Sequence, residues 1–483
     1  MSKIFSLNSR IKFFSLGKNL LEKSFCLLVF SFSPFSASPT KAAENISITY
    51  GVFEASLKVK SLEVFAKEGK INKDLEMFLG NASAEQQLGF REALIKPIKL
   101  NPVHLSRFFY TDMGEDILTR IGNIVNIDPG LNGKLGIRAA LVQAAFEPQG
   151  LTLLNVFQKF PTDIRLRGEL VVAFAQAIDR IITETRVFSE ELQKLSTQES
   201  KQESKQVSKS SGSIDFDKLP DLRKPGIYGV QPKQTWQLLD SSRNRKFYVD
   251  VYRPMRSPVK SISVLIFSHG LASRPEDFAE RAKHWASYGY VVALPQHPGS
   301  DLFQAQALLK GYSDQVFELN EFVDRPKDIS FVLDELARRN QTEFQGKLNL
   351  TAVGMEGHSF GGYTAFALAG AEIDFTNLQT ECDRPLGGLN LSLLIQCRAL
   401  SLPRQDYKFR DRRIVAILAA NPIGSAVFGQ KGLDKVQIPV MTKAGSYDPA
   451  APAVFEEIRA FPWLTTTDKY LAMTEGQTHV NFA

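Results

Sequence analysis

Apolar residues change their spacing twice along the chain. Between residues 44 and 190 they recur at helical intervals. Leu88, Phe90, Leu94 and Ile95 form one such set, and Ile117, Leu118, Ile121, Ile124 and Val125 another. The stretch 168–188 carries Leu170, Val171, Phe174, Ala177, Ile178, Ile181 and Ile182, a broad apolar face. Pro97, Pro102, Pro129, Pro148 and Pro161 punctuate these runs, so the pattern predicts a smaller, mainly α-helical domain over 44–190. Residues 191–215 hold the polar run STQESKQESKQVSKSSGS, which has no apolar period. Such a segment cannot bury enough surface to offset its ordering entropy, and a flexible linker is expected there.

From residue 216 the texture becomes short apolar runs alternating with helical ones. KFYVDVY (246–252) alternates like a half-exposed strand. SVLIFSHG (263–270), YVVALPQ (290–296), LTAVGMEG (350–357), IVAILAANP (414–422), PVMTKAG (439–445) and KYLAMTEG (469–476) read as buried strands ending in turn residues. Helical segments near 275–288, 325–339, 360–370 and 452–460 lie between several of them. Strands alternating with helices require parallel crossovers, which predicts a doubly wound, mostly parallel α/β sheet over 216–483.

The formal net charge of +6 alters this picture less than its size suggests. Residues 1–43 hold six basic side chains against Glu22 alone, and the remainder carries 52 basic and 51 acidic residues. A nearly neutral body gives no electrostatic reason to expect nucleic acid as a partner. The basic stretch precedes an apolar run from Phe25 to Ala37, too short to span a bilayer comfortably, with small residues at Ala42 and Ala43. This is the grammar of a signal peptide over 1–43, and it predicts an exported protein, periplasmic, lumenal or extracellular. Of three cysteines Cys26 leaves with the signal, and Cys382 and Cys397 are expected to pair in an oxidising compartment.

The candidate chemistry centres on Gly357-His358-Ser359-Phe360-Gly361. The pentapeptide follows a predicted buried strand and opens a helix, the setting in which a sharp turn lifts a Ser hydroxyl above a sheet. A hydroxyl needs a base held in one tautomer by an acid, in the chain order Ser, acid, His. His479 is the histidine that follows a late strand beyond Ser359, and Asp448 lies in the loop after PVMTKAG. The loop after the preceding strand holds Asn421, which cannot supply a negative charge. Oxyanion donors are expected at the backbone N–H groups of Phe360, just after the nucleophile, and Leu271, in the loop after SVLIFSHG. His269 is read as shaping that loop. No nucleotide loop or metal-ligand spacing is found in the N-terminal region, and neither cofactor nor metal is expected for the reaction.

The strings FSHGLASRPEDF (267–278), ASYGYVVALPQHPGSD (286–301), GHSFGG (357–362), AGSYDP (444–449) and GQTHVNF (476–482) resemble the dienelactone-hydrolase-like branch of the α/β hydrolases. Within it they are most similar to the platelet-activating-factor acetylhydrolase type of serine esterase. The resemblance implies cofactor-free hydrolysis of carboxylic esters, with a small-molecule or lipid ester as substrate. Those acetylhydrolases take their acid from the position of Asn421, so Asp448 follows the wider superfamily. The N-terminal part, with ITYGVFEASLKVKSLEVFAKEG (48–69), resembles a helical domain of unknown function that precedes such hydrolases in cyanobacteria. Residues 371–413 read as an insertion stapled by its two cysteines, either a lid over the pocket or a surface excursion. Peptidases and thioesterases use the same triad, and an idle hydrolase fold could serve as a binding or envelope module. The N-terminal helices are a candidate for peripheral membrane or envelope contact.

Overall fold

The computed structural model describes residues 42–127, 130–207, 220–255, 260–384 and 390–480. The expected signal peptide, apart from Ala42 and Ala43, lies outside these residues, as does 208–219 of the expected linker.

The N-terminal domain is largely helical and also contains a five-stranded sheet that helical periodicity did not reveal. Its strands are β1 (Asn45–Tyr50), β2 (Phe53–Lys58), β3 (Val125–Ile127), β4 (Leu131–Asn132) and β5 (Ile164–Arg167), in the order β2-β1-β5-β3-β4. The apolar run 117–125 therefore divides: its helix, Asp112–Gly122, ends at a glycine and the chain enters β3. A Cβ at Gly122 would stand 2.1 Å from Asn132 Oδ1, which is why a close turn onto β4 needs glycine there.

The expected linker needs correction. One helix runs from Gly168 to Val207 and takes in residues 191–207. Those residues contain neither Gly nor Pro, and Glu, Gln and Lys are good helix formers, so a helix already nucleated on the apolar 168–188 face propagates through them.

The second domain is built on an eight-stranded sheet. It comprises β6 (Gln234–Asp240), β7 (Arg245–Tyr252), β8 (Ile262–Ser268), β9 (Val291–Pro295), β10 (Leu348–His358), β11 (Ile414–Ala420), β12 (Val440–Gly445) and β13 (Lys469–Thr474). The order is β13-β12-β11-β10-β8-β9-β7-β6. All pairs from β9 to β13 are parallel, and β6 and β7 close the other edge antiparallel. The sheet is thus the doubly wound, mostly parallel one that the alternation predicts, with β6 added. Helices cover both faces: Glu321–Phe344 and Phe360–Ala369 belong to the main core, and Ala279–Ser287 packs with Phe267 and Leu294 on the opposite side.

Within Glu321–Phe344, Pro326 lacks the N–H that would bond the carbonyl four residues back, Phe322. Tyr363 Oη donates to that carbonyl at 2.9 Å, so the breaker locks one core helix to the next.

A disulfide joins Cys382 to Cys397, with Cα atoms 5.8 Å apart. The insertion it closes packs on helix Ser425–Leu433 and receives the N-terminal domain: Arg398 pairs with Asp112 at 2.5 Å, and Arg120 Nη2 donates to the Cys382 carbonyl at 3.3 Å. Replacing both cysteines by alanine is expected to remove about 3 kcal/mol of stability by chain-entropy reasoning for a loop of this size. Urea unfolding of the variant against the wild type checks this.

Candidate active site

β10 ends at His358 between Ser268 of β8 and Ala420 of β11, at the carboxyl edge of the sheet. There the chain reverses sharply into helix Phe360–Ala369, and Ser359 takes φ 55° and ψ −116°, a conformation unfavourable for a side-chain-bearing residue. The turn closes only because its flanks are glycine. A Cβ at Gly357 would stand 2.0 Å from the Gly361 carbonyl oxygen, and one at Gly361 would stand 1.9 Å from that of Ser268. Four backbone bonds hold the strained residue: Ser359 N–H donates to Ala420, and its carbonyl accepts from Gly362, Tyr363 and Ile423.

Three of the residues singled out by their order along the chain meet here. His479 Nε2 lies 2.9 Å from Ser359 Oγ, and His479 Nδ1 lies 2.7 Å from Asp448 Oδ2. The other carboxylate oxygen of Asp448 accepts the N–H groups of Ala450 and Ala451, each at 2.9 Å, which fixes the acid's orientation. Tyr447 N–H donates to the Gln477 carbonyl and Gly476 N–H to Ser446 Oγ, so the loops carrying acid and histidine are laced together. Asp448 is buried, while the imidazole stays partly open to solvent.

Asn421 serves differently from an acid. Fully buried at φ 43°, it donates through Nδ2 to the carbonyls of Thr478 and His479, each at 3.3 Å. His358 Nε2 donates to the same His479 carbonyl at 2.8 Å, and burial pushes the His358 imidazole down to about 3. A neutral ring and an amide together brace the backbone of the histidine loop.

The loop after β8 is held from beneath. His297 N–H donates to His269 Nε2 at 3.1 Å, so the proton of that neutral ring sits on Nδ1, which donates to the Gly270 carbonyl at 2.8 Å. Burial holds the His269 imidazole well below its ordinary value. The 270–271 peptide is planar, so fixing its carbonyl also fixes the opposite direction of the Leu271 N–H. A Cβ on Gly270 would lie 3.1 Å from Ser359 Cβ, which places this peptide directly against the serine. Among the described residues neither the Leu271 nor the Phe360 N–H has an acceptor.

Arg325, fully buried, anchors this loop. Its guanidinium donates to the His269 carbonyl, to Ser300 Oγ at 2.6 Å and to Thr364 Oγ1 at 3.3 Å, and it lies 4.7 Å from the centre of the Phe360 ring. Asp328 binds Arg243, Arg245 and His297, and Glu321 binds Arg245 and Ser300, so the whole set is one satisfied network. Burial pulls the Arg325 guanidinium down to about 10, which still leaves it charged at neutral pH. Replacement by methionine removes the cation and the hydrogen bonds it gives to the His269 carbonyl, Ser300 and Thr364, while Arg243 and Arg245 still pair Asp328 and Glu321. The expected cost is about 1–3 kcal/mol for each buried group left unsatisfied, read in urea unfolding, with kcat falling more than KM rises as the loop loses its anchor.

Glu457 was not foreseen from sequence. Its carboxyl is buried without a hydrogen-bond partner among the described residues, in a turn whose neighbour Glu456 is saturated by Asn390, Ser392, Gln396 and two backbone N–H groups. Burial, with Glu456 and Asp448 nearby, raises the Glu457 carboxyl well above its ordinary 4.5. The folded chain therefore keeps a proton that the unfolded chain releases, and stability falls as pH rises above about 4.5, by roughly 1.4 kcal/mol per pH unit until the folded carboxyl ionises. Glu457→Gln is expected to match the wild type in melting temperature near pH 4.5 and to exceed it increasingly towards pH 8.

Arg325, Asp328 and Glu457 lie in segments that read only as helix, and no local signature marks them; His297 falls within the string 286–301, which by itself assigns it no role. A cavity of about 250 Å³ between β8–β11 and helix Ala279–Ser287, containing the Arg281–Glu356 ion pair, is not lined by Ser359, Asp448 or His479. Among the described residues no group of three or more His, Cys, Asp or Glu side chains is placed to hold a metal ion.

Two family models match parts of the chain. One, described as an alpha/beta hydrolase of unknown function (DUF1400), matches residues 42–166; the other, Chlorophyllase, matches 251–382. No curated protein matches the chain. Both families belong to the α/β hydrolases, and with the mixed sheet described above they establish the α/β-hydrolase fold and a hydrolase in the general sense.

Proposed function

We propose that this α/β hydrolase is an exported serine esterase acting on small-molecule or lipid-like carboxylic esters through Ser359, His479 and Asp448. The observation that carries the reading is the continuous pair of hydrogen bonds from Ser359 Oγ through His479 to a buried, otherwise satisfied carboxylate. In the reaction Ser359 Oγ bonds to the ester carbonyl carbon while its proton passes to His479 Nε2. The developing oxyanion takes the Leu271 and Phe360 N–H groups. The alcohol then leaves with the proton from His479, and a water repeats the sequence on the acyl-enzyme, releasing the acid. Asp448 holds the imidazole with its proton on Nδ1 and stabilises the imidazolium.

The Chlorophyllase match favours esters over peptides and makes chlorophyll itself a substrate to assay. Export is supported by the basic-then-apolar N-terminus and by the disulfide. No helix among the described residues is long and apolar enough to cross a membrane. The insertion 371–413 packs on helix Ser425–Leu433, which follows β11, and is a candidate lid over the acyl side of the site.

The test is hydrolysis of p-nitrophenyl esters from acetate to palmitate, with fluorophosphonate labelling in parallel. Turnover and labelling both dependent on Ser359 are expected, and the chain-length profile gives the depth of the acyl site. A folded protein inert to both would return the chain to the binding-module reading.

A further inference from the structure

β1 and β2 turn back through Gly51 and Val52, with Gly51 at φ 59°, and the tip carries Tyr50, Val52 and Phe53. Val52 is 95% exposed and Phe53 76%. The tip stands against the start of helix Gly168–Val207. Gly51 N–H donates to the Glu169 carboxylate, and a Cβ on Gly168 would stand 2.6 Å from the Thr49 carbonyl oxygen.

From that point the helix carries nine residues without a charge, LVVAFAQAI (170–178). Leu170, Ala173, Ala177 and Ile181 form its partly buried side, so the domain's own packing is already provided for. Beside that side runs a second apolar stripe, Val171, Phe174, Ile178 and Ile182, all exposed, Ile182 by 63%. A helix apolar on its outward face as well has an unmet partner.

We infer that this hairpin tip and helix stripe form a lipid-docking surface, which inserts into the headgroup and acyl boundary of a bilayer. Three features favour lipid over a protein partner. The patch combines a protruding loop with a helix side. Gln176 is the lone polar side chain within 170–178, so little is present to specify a partner by placed hydrogen bonds. Its charged rim holds a cation that suits a headgroup phosphate: Arg180 has no ion-paired carboxylate among the described residues, while Arg167, paired in register with Thr49, interacts with Glu169, which also accepts the Gly51 N–H, and Glu54 is taken up by Arg165. Aromatic Tyr50, Phe53 and Phe174 are the side chains that settle at such a boundary. The inference is independent of the triad, because binding is read without turnover.

The test is flotation with phosphatidylcholine vesicles, using the whole chain and the chain from Ala42, each at low salt and at 0.5 M NaCl. Variants Val52→Asp/Phe53→Asp and Phe174→Asp/Ile178→Asp are compared, with melting temperature and gel filtration as controls. The chain from Ala42 is expected to float at both salt concentrations, and each folded, monomeric variant to float at least tenfold less. Hydrolysis of a soluble ester is expected to be unchanged. Flotation that only the whole chain shows would assign binding to residues 1–41 and overturn the inference. So would flotation abolished by salt, variants that float like wild type, or a wild-type dimer that the variants dissolve.

Discussion

Ser359→Ala is expected to lower kcat for ester hydrolysis by about 10⁵- to 10⁶-fold, with KM within a few-fold and with fluorophosphonate labelling lost. The size of the effect follows from what the oxygen does. In the proposed reaction it is the atom that bonds to substrate carbon, and its described neighbours are otherwise engaged: His358 faces the His479 carbonyl, and Ser268 Oγ is held by His297 at 3.0 Å. The residual rate is that of the oxyanion donors and binding alone, so adding the imidazole variant should cost little more. Folding should survive the change, since the positive φ that strains Ser359 strains alanine equally and the backbone bonds around it remain. A melting temperature within a few degrees of wild type, beside a collapsed kcat, would separate loss of the nucleophile from loss of structure.

This site was readable in outline because its parts are marked locally. Strained turns require glycine at fixed offsets, and buried parallel strands leave continuous apolar runs. Once the strands are placed, the order Ser, acid, His narrows the choice to Ser359, Asp448 and His479. What escaped reading is long-range. Arg325 sits on the second turn of a helix, where its spacing looks like that of any solvated cation. Its burial beneath His269 exists only after β8, helix Glu321–Phe344 and helix Phe360–Ala369 converge. β1 and β2 are six residues each, too short for alternation to outweigh the helical pattern around them. At 191–207 the misreading had another cause: absence of an apolar period argues against burial, and helix continuation needs no burial.

Asp448→Asn is expected to lower kcat by about 10⁴-fold at neutral pH while leaving the serine and histidine in place. Asparagine preserves the shape and can still accept the Ala450 and Ala451 N–H groups. Its amide, however, can meet His479 Nδ1 as a donor, which favours the tautomer protonated on Nε2, the nitrogen that must receive the serine proton. Nor can it stabilise the imidazolium once formed. The sharper test is the double variant Asp448→Asn/Asn421→Asp, which moves the carboxylate to the end of β11. Were the two positions interchangeable, activity would return. No rescue is expected here, because Asn421 faces the carbonyl oxygens of Thr478 and His479 with a donor amide. A carboxylate in its place would confront two acceptors and release the backbone that carries the imidazole. Activity recovered to within tenfold of wild type would mean that the histidine loop can re-register onto β11, and that Asp448 is one of two acids this fold can use.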